Sequence, residues 1–145
     1  MSRFSEPNDP IFRRLDAMLA ARERVAGAYF EALAGLAAER GLRLPTRATG
    51  GATRSWFVYV VQVPHDADRD AVMLALREHG VQSKPYLPAI HLMSFYRERF
   101  GHRPGEFPVC EDVAARSLAL PFFPEMTEAQ VARVAEALTG VLGSV

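Results

Sequence analysis

Between Ser83 and His91 the sequence runs SKPYLPAIH and gathers three side chains able to do chemistry, Lys84, Tyr86 and His91. Lys84 is the only lysine of the chain. A lysine amine forms a Schiff base with a carbonyl when its pKa is lowered and a pocket holds the partner. It can equally clamp an anionic substrate, or stand solvated on a loop. No P-loop and no G-x-G-x-x-G accompanies Lys84, so the residues by themselves favour a solvated lysine beside a strand end. His91 sits between PAI and LM, a setting in which a packed, hydrogen-bonded histidine is commoner than a ligand or a base.

The stretch that follows offers more reactive types without a reactive pattern. His91, His102, Cys110 and Glu111 are all metal-ligating types, but their gaps fit no compact zinc spacing, and no metal is expected. Ser94 stands in no nucleophile elbow. FYRERFGHR interleaves aromatics with arginines, as single-strand binders do. Glu98 and a formal net charge of +0, from 17 basic and 17 acidic residues, speak against that use. A balanced chain has no long-range field to gather nucleic acid or anionic lipid, so neither is expected as a partner. Arginine makes up 16 of the basic residues, a bias that reads as GC-rich coding rather than function.

These residues need a scaffold, and the chain is long enough for one. A single domain is expected over residues 1–145, burying roughly 70% of the surface its unfolded form would expose. With 49% hydrophobic and 23% charged residues, a soluble globular protein is expected. Cys110 is the only cysteine, which points to a reducing cytoplasm. MSRFSEPNDP lacks the apolar core of a signal peptide, and no apolar run nears the roughly 20 residues that span a bilayer.

The first element is a long helix, or two nearly collinear ones, over residues 10–40. Asp9 would cap it, Pro10 suits its first position and Gly41 closes it. Ile11, Leu15, Leu19, Ala26, Phe30, Leu33 and Ala37 make its apolar stripe, and Gly27 and Gly35 mark expected bends. Such a helix would span roughly 45 Å, more than this body needs, which hints at a partner. A Gly/Thr turn region at 46–54 leads to the sheet-and-helix body over 55–142. SWFVYVVQVP, residues 55–64, reads as a strand covered on both faces, started by Trp56 and Phe57 and stopped by Pro64.

A helix capped by Asp66 and ended by Gly80 follows, with Val72, Met73 and Leu76 inward. VQSKPYL gives a short second strand, HLMSFYRERFG a short helix, HRPGEFP a loop, VCEDVAARS a helix and LALPFFP a third strand. The last helix opens on a capping box, Thr127 to Gln130, and buries Val131, Val134, Leu138 and Val141. The fold class is α+β, a small, mostly antiparallel three-stranded sheet packed with helices and preceded by the long helix.

Three stretches, RLDAMLAARERVAGAYFEAL, then WFVYVVQVP with DRDAVMLALREHGVQSKPYLPAIHLMSFYRERFG, then GEFPVCEDVAARSLALPFFPEMTEAQVARVAEAL, keep a family's order and spacing. The chain resembles, from about Arg14 to Leu142, the C-terminal small domain of the DegT/DnrJ/StrS sugar aminotransferases. The resemblance covers about the last third of a family member. It implies the aspartate-aminotransferase fold, a pyridoxal phosphate cofactor in the intact enzyme and a sugar nucleotide substrate. It also implies that the aldimine lysine and the phosphate-binding groups belong to a preceding large domain. Met1 stands where that domain would precede. No catalytic and no cofactor-binding residue is therefore expected here, and Lys84 is not the cofactor lysine.

The segment matching Tyr86 to His91 lies near the active-site mouth in the family, so the resemblance implies substrate-proximal roles for Tyr86, His91 and Tyr96. Two functional readings follow. One is the small domain of a sugar aminotransferase, catalytically incomplete as this chain. The other is a freestanding binding or assembly module, or a partner subunit for a separate large-domain chain. Self-association or a large-domain partner is expected in either. A third reading, an unrelated ferredoxin-like ligand-binding domain, would show itself in a different strand order.

Overall fold

The computed structural model describes residues 10–47 and 50–144. The expected Asp9 cap and the side chain of Ile11 lie outside the described residues. Helix α1 runs Pro10–Ala32 and α2 runs Ala34–Arg40. Proline opens α1 because a first helical position needs no N–H and welcomes its fixed φ. The two helices are nearly one. Leu33 N–H donates to Tyr29 O at 3.0 Å, and Ala37 N–H donates to Leu33 O at 2.9 Å.

The interruption falls at Leu33 and not at Gly27 or Gly35, which sit inside α1 and α2. Leu33 is fully buried. Seating a leucine in the core outweighs the roughly 1 kcal/mol propensity deficit of a glycine, so packing chooses where the axis breaks. Gly41, in the left-handed region at φ 71°, ends α2 as expected.

The sheet has three antiparallel strands in the order β1-β3-β2, with β1 Tyr59–Gln62, β2 Lys84–Pro85 and β3 Ser117–Leu120. Tyr59 pairs with Leu120 and Val61 with Leu118, while Lys84 faces Ala119. Pro85 is tolerated because β2 is an edge strand. A bridge from Arg43 to Gln62 covers part of the other edge.

Strand β1 corrects two expectations. It is four residues long rather than ten, and its burial alternates: Tyr59 and Val61 are buried, Val60 and Gln62 half-buried. It also does not begin at Trp56. Trp56 has φ 47°, a left-handed conformation that no strand contains, so the chain arrives at the sheet through a turn. That turn buries Trp56 and throws Phe57 outward.

Helix α3, Arg69–Glu78, is capped by Asp68 rather than Asp66. The Asp68 carboxylate accepts from Asp70 N–H at 2.7 Å and Ala71 N–H at 3.0 Å, a reach Asp66 does not have from two residues earlier. Val72 and Leu76 are buried and Met73 is half-buried, as the stripe requires. Helices α4, Ser94–Phe100, and α5, Pro108–Arg116, follow, and α5 runs directly into β3. Helix α6, Glu128–Gly143, starts with the expected box: Thr127 Oγ1 accepts from Gln130 N–H and Gln130 Oε1 accepts from Thr127 N–H.

The core lies where α1 and α6 meet and where the sheet packs beneath them. At its centre Tyr29 and Tyr59 stack at 4.7 Å, and Trp56 and Phe122 also stack with Tyr59, at 5.9 and 6.2 Å. Tyr29 hydroxyl donates to Pro121 O at 2.7 Å. Burial pushes both tyrosine phenols well above their ordinary range.

Candidate functional site

The residues between β2 and β3 form the candidate site. Lys84 is exposed on β2. Tyr86 is half-buried and tied to the sheet by its backbone, N–H to Ser117 O at 3.2 Å. The chain then turns through Leu87, a non-glycine residue at φ 55°, and passes two prolines into a single 3-10 turn, Ile90–Leu92. The αL residue and the prolines keep this stretch from continuing the strand, and the turn rolls His91 inward to 9% exposure.

His91 is the centre of the site. Its Nε2 lies 3.0 Å from Glu111 Oε1 in the first turn of α5. The same carboxylate accepts from Gly105 N–H at 2.8 Å and from Phe107 N–H at 3.1 Å. One acid thereby fastens the 3-10 turn, the 101–107 loop and the start of α5 to each other. The Gly105 amide first, and then His91, hold the Glu111 carboxyl below the ordinary carboxylate range.

His102 repeats the arrangement beside it. Its Nδ1 lies 2.9 Å from Glu106 Oε2, and that hydrogen bond, with the Arg103 amide, lowers the Glu106 pKa. The rings themselves connect. Tyr96 stacks with Phe100 at 6.1 Å, Phe100 meets His102 at 6.2 Å, His102 meets His91 at 6.0 Å, and Phe107 closes edge-on to His91 at 4.8 Å.

Of the three residues the resemblance marked, the structure links Tyr96 to His91 only through that chain of rings. Among the described residues no hydrogen bond or ring contact joins Tyr86 to either. His91, His102 and Glu111 do come together, and Cys110 stands exposed beside them. Among the described residues no group of three His, Cys, Asp or Glu is placed to hold a metal ion.

Sequence reasoning missed two anchors. Glu111 entered it only as a metal-ligating type. The signal was its place in the first turn after Pro108, where a carboxylate meets unpaired amides. Arg116 was read only as part of a helix. It is 9% exposed and spans α5, β1 and the turn after it, donating to Asp112 at 2.6 Å, Val63 O at 2.9 Å and Gln62 Oε1 at 3.2 Å. Hydrogen bonding to Asp112 is the main cause of its raised pKa, and the pair lowers that of Asp112. The i,i+4 spacing of Asp112 and Arg116 was the available signal.

Residues 11–139 match the family model described as the DegT/DnrJ/EryC1/StrS aminotransferase family, and the chain belongs to that family. The fold is shared with the aminotransferase TlmJ from Streptoalloteichus hindustanus, at 27% identity and a TM-score of 0.77 over 92% of this chain and 34% of that one. DesV from S. venezuelae, solved in complex with a ketimine intermediate, gives 27% identity and 0.76 over 92% and 34%. PseC from Helicobacter pylori, an aminotransferase involved in the biosynthesis of pseudoaminic acid, shares the fold alone at 15% identity, with a TM-score of 0.78 over 92% and 35%. The chain spans about a third of the length of these structures. Membership leaves no room for an unrelated ferredoxin-like domain.

The family's cofactor is pyridoxal phosphate, and the residues described here do not fit it. A Schiff-base lysine requires desolvation and a pocket. Lys84, the one lysine, stands exposed on an edge strand. No step of cofactor chemistry can be drawn through it.

Proposed function

We propose that this chain is the small domain of a pyridoxal-phosphate-dependent aminotransferase that acts on keto-sugar nucleotides in amino-sugar biosynthesis, and that it is catalytically incomplete by itself. The observation that carries this reading is the family match over residues 11–139 combined with the exposure of Lys84. When bound, pyridoxal phosphate supplies the electron sink that transamination requires. In this reading the cofactor and its lysine belong to a large domain, in the same polypeptide or in a separate one. This chain closes the substrate side. Tyr86 and Tyr96, whose side chains are partly open, reach sugar hydroxyls or phosphate oxygens. His91 lines the same side, with its ring fixed by Glu111.

No helix of the described residues is long and apolar enough to cross a membrane. The lone cysteine, which forms no disulfide within the chain, suits a reducing, cytoplasmic setting. A second reading, a freestanding assembly module or partner subunit, is favoured by one feature: large apolar side chains stand exposed along α4 and the start of α5.

The test is reconstitution. The purified chain is incubated with pyridoxal phosphate, glutamate and several keto-sugar nucleotides, with and without the large domain of a family member, and amino sugar is read by mass spectrometry. The expected result is no product from the chain alone and product with the large domain, weakened through substrate binding in His91→Ala. Turnover by the lone chain, lost in Lys84→Ala, overturns the reading. Saturable aldimine absorbance on titrating cofactor into the lone chain, lost in the same variant, does so as well.

A further inference from the structure

Every group around the Glu111 carboxylate has its hydrogen assigned by chemistry except His91. Gly105 N–H reaches both oxygens, at 2.9 and 2.8 Å, and Phe107 N–H reaches Oε1 at 3.1 Å. A backbone amide can only donate, and an ionised carboxylate can only accept. An oxygen that already accepts two amide hydrogens holds a proton poorly, in line with the lowered Glu111 pKa. His91 Nε2, 3.0 Å from that same Oε1, therefore carries the hydrogen and donates it. A neutral imidazole has one N–H, so His91 Nδ1 is left with a free lone pair.

No group of the described residues takes that lone pair. The side-chain polar atoms buried without a partner among them are Tyr59 Oη and Ser83 Oγ, so His91 Nδ1 opens to the surface. The ring is held from two sides, by Phe107 edge-on at 4.8 Å and His102 edge-on at 6.0 Å. His102 is fixed the other way round. Its Nδ1 lies 2.9 Å from Glu106 Oε2, which also accepts from Arg103 N–H at 3.2 Å, so Nδ1 donates and Nε2 is free. Unrestrained imidazoles sample both tautomers. Opposite tautomers in touching rings need two separate causes, and the two carboxylates supply them. Glu111 holds the loop through its amides without help from a histidine, and a phenyl ring would fill the same apolar place. What the imidazole adds is an acceptor at the surface.

We propose that Glu111 is a positioning residue that locks His91 in the Nε2–H tautomer, so that Nδ1 accepts a hydrogen bond from a hydroxyl or amine of a bound ligand. The carboxylate behind the ring strengthens that acceptor, because hydrogen bonds in series polarise one another. The tautomer stands on this chain alone. Its use toward a substrate rests on the aminotransferase reading, in which His91 lines the substrate side. The lock turns neutral His91 toward donor groups and away from phosphate oxygens, which would need an N–H at the same place.

Long-range proton–nitrogen correlation spectra of the purified, nitrogen-15-labelled chain read the tautomers directly, at a pH above the range in which imidazoles titrate. His91 should be protonated at Nε2 alone, with a downfield, slowly exchanging Nε2 proton, and His102 at Nδ1 alone. His91→Gln and His102→Gln assign the signals. Glu111→Ala should remove the downfield proton and release His91 to both tautomers while His102 keeps its own. Glu106→Ala should do the reverse, and unmoved His79 signals report that the variants are folded. A wild-type His91 protonated at Nδ1, or mixed between tautomers, overturns the lock whatever the variants do. With the large domain supplied, Glu111→Ala should raise KM for the sugar substrate about tenfold, one lost hydrogen bond, and change kcat far less. Glu106→Ala should leave both unchanged. An unchanged KM in Glu111→Ala, with the tautomer released, overturns the ligand role. A wild-type pair that makes no product counts against the aminotransferase reading and leaves the tautomer spectra to decide the lock.

Discussion

His91 Nε2 and Glu111 Oε1 lie 3.0 Å apart across twenty residues of sequence, and the same carboxylate also takes the Gly105 and Phe107 amides of the loop between them. Because Gly105, Phe107 and His91 all bind it, Glu111 has a lowered folded pKa. A depressed acid contributes stability that is present above its unfolded pKa and lost as pH falls through the folded one. Stability should therefore decline on the acid side of the ordinary glutamate range, and Glu111→Gln should flatten that limb. Amide exchange at Gly105 and Phe107 should accelerate in the variant, because both lose a charged acceptor. Exchange and acid titration by circular dichroism check both. An unchanged acid limb would assign the pH dependence to Asp68, Glu106 and Asp112, whose pKa values are also lowered.

Trp56 is 2% exposed and its neighbour Phe57 is 76% exposed. The Trp56 ring packs on Phe30 and Tyr59, its Nε1–H donates to Glu23, and Arg54 lies over its face. Trp56→Ala should destabilise by about 3–5 kcal/mol through lost transfer energy and a cavity. Phe57→Ala should cost under about 0.5 kcal/mol, like other surface changes. Urea denaturation of the two variants decides it, and a large effect at Phe57 would mean that the residue is covered in solution.

Thr127 caps α6 with its side-chain oxygen, which accepts from Gln130 N–H, and with its backbone N–H, which donates to Gln130 Oε1. Thr127→Ala should cost about 1 kcal/mol, and Thr127→Ser should cost much less because the acceptor oxygen is kept. Thermal denaturation reads both. Equal loss in the two variants would point to the methyl group rather than the cap.

The contrast among these residues explains what could be read from the sequence. The Thr127 box, the Gly41 stop and the α6 stripe depend on residues within one or two turns of each other, and local spacing carries them. The three antiparallel strands and their helices also followed from local runs. The αL turn at Trp56 and the break at Leu33 depend on which side chain the distant core accepts, so β-branched patterning placed the strand start too early. The site shows the same division. The segment carrying Tyr86 and His91 was legible as chemistry-bearing residues. Its anchor, Glu111, was not, because the amides it satisfies exist only once the 101–107 loop has folded back.

Val109 is 78% exposed and Phe95 60%, and both belong to a run of large apolar side chains on α4, the loop after it and α5. Phe107, Pro108, Val109 and Val113 also line an open hollow of about 530 Å³. Soluble monomers rarely leave apolar surface beyond a few hundred Å² uncovered, so a second copy of this chain should cover this face in the absence of another partner. Light scattering should then show a dimer or larger species at high concentration. Val109→Asp should shift that equilibrium toward monomer with little change in melting temperature, because Val109 contributes almost nothing to the chain's own core. Its place in the first turn of α5 even favours an acidic residue for the helix itself. A wild-type chain that stays monomeric at high concentration would mean that the exposed side chains are too scattered to drive association. Association that Val109→Asp leaves untouched would move the interface to exposed apolar positions elsewhere, such as Phe57, Leu74 on α3, or Leu15 and Met18 on α1.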